Sequence, residues 1–306
     1  MPPDPTVAEA APRANATTPR LGSAAFVTLI GGVVLLATLE TAQALLAPSR
    51  APTKADWTAA AAEVRAGLQS GDLIVAAPAW ADPQVRMVLG DVISIPMATR
   101  MDDARYGRVW ELAVHGAHAD EAHGTATRER RFGAVTVRLV ERPPAVVTYD
   151  FLEHWNEASV WRWDPAARAA TACPWQGERF TCASGGSVHR ELVEVDTRIR
   201  RGLLAPPVTG AILAIEFPAV PLGRELVLAA GLHDVWARKY ANGTVNVEVW
   251  IDGQPVRNAT IGNRSGWQSL TVDTSARAGQ TRPVRVQIAS PQPNLRHLAF
   301  AAEARR

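Results

Sequence analysis

The sequence predicts an α+β protein: a single N-terminal transmembrane helix, a small α/β layer, and then an antiparallel β-sandwich. Three observations lead there. Leu21 to Leu39 is an uncharged run of 19 residues. Between Asp56 and His115, helix-like and strand-like patterns alternate, which implies a small parallel or mixed sheet with helices on it. From Phe132 onward the apolar residues recur at every second position, as half-buried antiparallel strands require.

The 306 residues leave room for about two domains and a sizeable core. Lys plus Arg, 32 in all, nearly cancels the 30 Asp plus Glu, and charged residues make up only 20%, so no face is built to hold nucleic acid. A hydrophobic fraction of 47%, with 22 Gly and 22 Pro dispersed, excludes wholesale disorder and collagen-like or coiled-coil architecture. Tryptophan is in excess, ten against three Tyr and six Phe. No nucleotide-binding or metalloprotease fingerprint occurs, and the sequence implies neither a cofactor nor a metal site.

Residues 1–20, rich in Pro, Ala and Thr, read as a disordered tail, and 21–47 as a membrane anchor. At 1.5 Å per residue the uncharged run covers nearly the ~30 Å thickness of the hydrocarbon layer. Ala42-Gln43-Ala44 has the small-x-small form of a cleavage site, and cleavage after Ala44 would make the protein secreted. Asp4, Glu9, Arg13 and Arg20 make the preceding segment unlike a short cationic leader. Cys173 and Cys182 are the only cysteines and close a ten-residue loop, CPWQGERFTC, with Pro174 and Gly177 available to turn it. Such a pair reads as a disulfide in an oxidising compartment, which puts the bulk of the chain in the periplasm or extracellular space. Two unrelated buried thiols are the alternative; a zinc pair has the wrong spacing.

The α/β layer is expected over 48–130. A helix starts at Asp56 as N-cap and runs to Leu68; Asp72 to Ala77 is a buried strand stopped by Pro78; a second helix has Asp82 as N-cap and Pro83 at its first position. Val92 to Ile95 reads as a strand, Ala98 to Tyr106 as a short helix, and Arg108 to His115 as a strand. The string DWTAAAAEVRAGLQSGDLIV followed by RVWEL resembles the extracytoplasmic part of lipid-linked-sugar glycosyltransferases of the protein-mannosyltransferase and aminoarabinose-transferase type. The likeness covers Asp56 to about Val114. The multi-span body that carries that family's donor site is absent, so the resemblance implies an accessory domain rather than a transferase.

The region 131–306 is β-rich. Val135, Val137 and Leu139 alternate with polar residues, as do Val245, Val247, Val249 and Ile251, and Val284, Val286 and Ile288. Turns fall at Asn242-Gly243, at Asp252-Gly253 and across Gly262 to Gly266, and VWARKY reads as a strand before the first of them. The run GRELVLAAGLHD, VNVEVWIDGQPV, GWQSLTVDTSARAGQTRPVRVQI and LRHLAFAAEA, about 211–302, resembles a galactose-binding-like jelly roll, the architecture of many carbohydrate-binding modules. That resemblance implies a jelly-roll-like sandwich and sugar binding.

Trp80, Asp82 and Arg86 lie just past the carboxyl end of the Asp72 to Ala77 strand, where open α/β sheets bind ligands. An indole beside a carboxylate suits a sugar ring, although Asp82 also serves as a helix cap. His115, His118 and His123 read as a solvent loop, and Asp102 and Asp103 as solvated residues of a helix. Trp161 and Trp163 share one face of a strand near the disulfide loop. At the sandwich rim, Arg238, Asn263, Arg264 and Trp267 combine polar donors with an aromatic face on loops, and they are the first choice for a ligand site. Asn-x-Ser/Thr sequons occur at Asn15, Asn242, Asn258 and Asn263. The leading expectation is a membrane-anchored extracytoplasmic protein that binds carbohydrate or scaffolds envelope glycan assembly without catalysis, its partners being the membrane and a glycan or a glycan-assembly protein. The alternatives are a glycan-modifying enzyme using acidic residues at the α/β edge, and a purely structural module.

Overall fold

A computed structural model describes residues 23–183, 186–239 and 243–306. The expected tail over 1–20, the first two residues of the expected anchor, and Asn15 and Asn242 lie outside the described residues. The chain divides into two compact units, Met1–Ala51 and Pro52–Arg306.

In the first unit, helix α1 (Ser23–Arg50) has side chains described from Val27 to Ala42. Val27, Leu29, Val33, Val34, Leu35, Leu36 and Leu39 are all exposed. The hydroxyls of Thr38 and Thr41 donate to the carbonyls of Val34 and Ala37, each at 2.7 Å, which hides the polar groups against the helix's own backbone. Among the described residues no helix is long and apolar enough to cross a membrane.

The second unit begins with α2 (Lys54–Gly67). Asp56 is not its N-cap. Thr53 caps the helix and Asp56 sits at the third position, where the two side chains exchange bonds with each other's backbone N–H in a capping box. The same carboxylate lies against the turn at Gly133, whose φ of +57° and whose approach to Asp56, 2.2 Å from where a Cβ would stand, favour glycine. Strand β1 (Leu73–Ala77) pairs parallel with β2 (Arg108–Val114), and β3 (Ala126–Phe132) and β4 (Val135–Glu141) complete a mixed sheet in the order β1-β2-β4-β3. Val135–Glu141, whose alternation pointed to the β-rich region, is therefore a strand of the α/β layer's sheet. On one face α2 and α3 (Asp82–Leu89) bury Trp57, Val64, Val85 and Leu89 against Ile74, Trp110, Leu112 and Val137.

Further local expectations in this layer fail. Asp82 is the first residue of α3 rather than its cap, because the 3₁₀ turn Ala79–Ala81 already leads into the helix; its carboxylate pairs with Arg86 at 2.5 Å. Val92 to Ile95 forms no strand: Ser94 caps a short helix α4 (Ile95–Ala98), its hydroxyl accepting from Met97 N. Ala98 to Tyr106 is no helix past Ala98, and Asp102 and Asp103 are not idle, since they hold Arg305 and Arg142.

The rest of the unit is two stacked sheets. Its strands are β5 (Val147–Asp150), β6 (Ser159–Asp164), β7 (Ala169–Ala172), β8 (Phe180–Thr181), β9 (Ser187–Val195), β10 (Arg198–Leu204), β11 (Ile212–Pro221), β12 (Glu225–Leu232), β13 (Val245–Ile251), β14 (Gln254–Ile261), β15 (Gln268–Asp273), β16 (Thr281–Ala289) and β17 (Leu298–Arg305). One sheet runs β15-β12-β17-β10-β9-β8, with β5 added beside β17, and the other runs β14-β13-β16-β11-β6-β7. Alternate residues of both, among them Leu213, Ile215, Phe217, Val247, Val284, Val286, Leu203, Leu228 and Phe300, close one core. Asp252 and Gly253 both have positive φ and make the expected two-residue hairpin turn. VWARKY departs from the expected strand: Asp234–Lys239 is a helix, α5, with its acid in the first turn and Arg238 and Lys239 in the last, as the helix dipole favours.

Cys173 and Cys182 are bonded, with Cα atoms 4.3 Å apart, and the loop packs Trp155, Trp175 and Phe180 ring against ring beside the bridge. Replacing both cysteines by serine should lower the unfolding free energy by about 2–3 kcal/mol, by loop-closure entropy. Thermal unfolding with and without reductant checks it: reduction should lower the wild-type midpoint and leave that of the double variant unchanged.

Candidate functional site

A cavity of about 450 Å³ opens at one end of the sandwich. Three segments bring side chains to it. Asp196 stands in the two-residue turn between β9 and β10, where Asp196 and Thr197 both have positive φ (49° and 65°), the geometry that joins two twisted strands most tightly. Helix α5 contributes Asp234, Ala237 and Arg238, and the loop after β14 contributes Gly262, Asn263, Arg264 and Gly266. Three of the four rim residues chosen from the sequence, Arg238, Asn263 and Arg264, thus line one cavity.

The polar groups are fixed to different degrees. Asp234 ties the site together: its carboxylate accepts from Asp196 N at 3.4 Å and meets Arg238 at 2.8 Å. Asn263 accepts from Arg296, whose side chain is 1% exposed, so the loop is held from beneath by a buried guanidinium. Ser265 hydroxyl accepts from Gly262 N at 3.0 Å and closes the loop on itself. Arg264 is exposed and has no side-chain partner among the described residues. Two carboxylates and two guanidiniums give the lining a formal charge of zero.

Trp267 follows this loop without lining the cavity. It is half-buried, its indole N–H donates to Arg198 O at 3.0 Å, and Arg200 lies 5.2 Å over its ring. Both the polar tip and one face of the indole are occupied, so it braces the loop against β10. Trp267→Ala should therefore cost about 2 kcal/mol of stability, through lost packing and an orphaned carbonyl, readable as a fall in denaturation midpoint.

Behind α5, Trp236 stacks on His297 with ring centroids 5.0 Å apart. Burial lowers the His297 pKa, the neighbouring His233 lowers it further, and Glu191 works the other way. A histidine whose folded pKa lies below its unfolded value of about 6.5 favours the fold when neutral, so its contribution is complete above that pH and is lost as the pH falls below it. Between pH 7 and pH 5 the thermal midpoint of His297→Phe, which keeps the stack, should drop less than that of the wild type.

The second candidate group is less assembled. Trp80 is 61% exposed at the carboxyl end of β1, with the His115 ring 6.2 Å away. Asp82 and Arg86 are bonded to each other on α3, and no carboxylate joins them in a described cavity. His118 sits between Glu111 and Arg138, His123 against Arg142, and no cluster of metal-ligating side chains occurs among the described residues. Trp161 and Trp250 flank Arg285 on the outer face of the six-stranded sheet, and the guanidinium lies over one face of each indole. Sequence reasoning missed Asp196 and Asp234. The signal for Asp196 was legible: Asp-Thr separates two strand-like runs, and a two-residue turn follows from it.

No family model matches the chain, and no curated protein does. Among solved structures, CBM51-2 with INT domains of Clostridium perfringens ZmpB in complex with GlcNAc aligns at 12% identity and a TM-score of 0.31, covering 48% of this chain and 37% of that one. The CBM51 of C. perfringens GH95 in complex with methyl-galactose aligns at 11% and 0.29, over 38% and 81%. The K1 cleaved adhesin domain of Lys-gingipain from Porphyromonas gingivalis aligns at 13% and 0.30, over 48% and 96%. The chain spans little more than a third of the length of the first. Likenesses at these scores carry no weight for what this chain binds.

Proposed function

We propose that the protein is a non-catalytic carbohydrate-binding protein whose ligand sits in the rim cavity of the sandwich. The observation that supports this most is the lining itself: planar carboxylate, amide and guanidinium groups from three segments, with no net charge, around a space of about 450 Å³. Planar groups of this kind match the paired hydroxyls of a sugar ring, the carboxylate accepting and the guanidinium donating. The volume falls in the range of small-molecule sites, about 300–1,000 Å³. Asp234 is bonded to Arg238 and to backbone, which suits holding a ligand better than proton transfer.

The same reading places the protein outside the cytoplasm, held by 21–47. Its support is the Cys173–Cys182 bridge and the uniformly exposed apolar side chains of Val27 to Leu39, which lipid would cover. Its role there is to hold glycan or to scaffold envelope glycan assembly. Alkaline extraction tests the anchor: the full-length chain should stay in the membrane pellet, and release into the supernatant would remove it.

A glycan array probed with the full-length chain tests the binding function. Retained saccharides should be lost by Asn263→Ala and by Arg238→Ala together, and unaffected by Asp82→Ala at the α/β edge. Retention that depends on Asp82 and not on the rim would transfer the function to the other group.

A further inference from the structure

We infer that Arg198 and Arg200, side by side on β10 against the indole of Trp267, form a binding site for an oxyanion carried by the ligand of the adjoining cavity. The inference rests on the saccharide reading for that cavity and narrows it to saccharides bearing an acidic group, a uronate or a sulfate ester.

The two arginines are two residues apart on one strand and so share a face, opposite Val195 and Val193 of β9. Arg200 lies over the Trp267 ring, and Trp267 bonds to the carbonyl of Arg198, so the pair has a rigid backing. Among the described residues neither guanidinium has a carboxylate or hydrogen-bond partner. The two acids whose charge acts on Arg200, Asp102 and Glu121, are engaged elsewhere. Asp102 holds Arg305 through both oxygens at 2.9 Å, Glu121 holds Arg100 at 3.0 Å, and Glu194, opposite Ile199, belongs to the other face of the ribbon. Burial lowers the Arg200 pKa to about 10; Arg198 and Arg100 add to the fall, and Asp102 and Glu121 oppose it. A partly buried cation beside a like charge, with its local acids taken, is relieved by an external oxyanion, which planar guanidinium forks grip in pairs of hydrogen bonds.

The site adjoins the cavity along the chain. Asp196 of the lining is two residues from Arg198, and Gly266 of the lining precedes Trp267. A ring in the neutral cavity would thus present its acidic substituent toward two cations that no described carboxylate pairs.

The probe is inorganic sulfate, titrated into the full-length chain against chloride at equal ionic strength, with the Trp267 indole N–H and the Arg200 Nε–H followed by NMR. Both resonances should move to saturation with sulfate and stay in place with chloride. Arg200→Gln and Arg198→Gln should each weaken the response at least tenfold; the second variant removes no ring contact and keeps the test valid if the first disturbs Trp267. Equal shifts with both salts, or a sulfate response unchanged in both variants, would overturn the site. A second arm compares chondroitin sulfate oligosaccharides with their desulfated, carboxyl-reduced forms, which carry no acidic group, on the array. Preference for the sulfated form supports an oxyanion carried on saccharide, and equal retention overturns it while leaving the saccharide reading intact. A sulfate response with no saccharide retained at all overturns the saccharide reading and leaves a site for a free anion.

Discussion

Replacing Arg305 by alanine is expected to lower the unfolding free energy by about 3–5 kcal/mol, the range for breaking a buried ion pair from one side. Arg305 is 3% exposed at the end of β17. Its Nε donates to Glu303 at 2.8 Å and one terminal nitrogen reaches both oxygens of Asp102 at 2.9 Å. Burial alone would depress its pKa; the carboxylates of Glu303 and Asp102 more than reverse that and hold it above the ordinary value. Removing the guanidinium leaves Glu303, itself buried, facing Arg105 alone. The loss reaches beyond one strand, because Asp102 belongs to the α/β layer and Arg305 to the sandwich. Denaturant unfolding should show the lower midpoint in both parts together. Asp102→Ala, whose carboxylate is about one third exposed, should cost roughly 1–2 kcal/mol, less because the group it deletes is partly solvated.

Asp72→Ala is expected to cost about 3 kcal/mol, with its effect confined to the α/β layer. The carboxylate is buried beside β1 and accepts from the indole N–H of Trp110 at 2.8 Å and from Gln69 N at 2.9 Å, with Arg108 at 3.1 Å. Trp110 is fully buried, so its N–H has no water to turn to. Each orphaned buried donor costs about 1–3 kcal/mol. Asp72→Asn keeps one acceptor oxygen and should recover about half the loss. Equal stability of Asp72→Ala and wild type would show that the indole finds another acceptor.

These two positions mark what the sequence could and could not disclose. Buried strands, the cysteine bridge and the Asp252-Gly253 hairpin were legible because apolar period, loop length and turn residues are local signals. Asp72 read as the first residue of a buried strand, and Arg305 only as a residue of the β-rich region 131–306, because the partners that bury them lie 38 and 203 positions away. Asp56 and Asp82 were misjudged for a different reason: several residues at a helix start can cap it, and only backbone geometry selects among Thr53, Asp56 and the turn before Asp82. The candidate site divides the same way. Asn263 and Arg264 belong to a loop marked by two glycines, whereas Asp196 and Asp234 complete the cavity only once β9, β10 and α5 are folded beside that loop.

Calorimetric titration of wild type and Arg264→Ala with the saccharide that the array retains best addresses the central claim most directly. Arg264 is exposed and bonded to no described side chain, so its removal should leave the thermal midpoint within the small range of surface substitutions. A hydrogen bond from a charged donor to the ligand is worth about 1.5–3 kcal/mol. The dissociation constant should therefore rise by roughly 10- to 100-fold. An unchanged constant in Arg264→Ala, with both proteins folded, would contradict binding in the rim cavity.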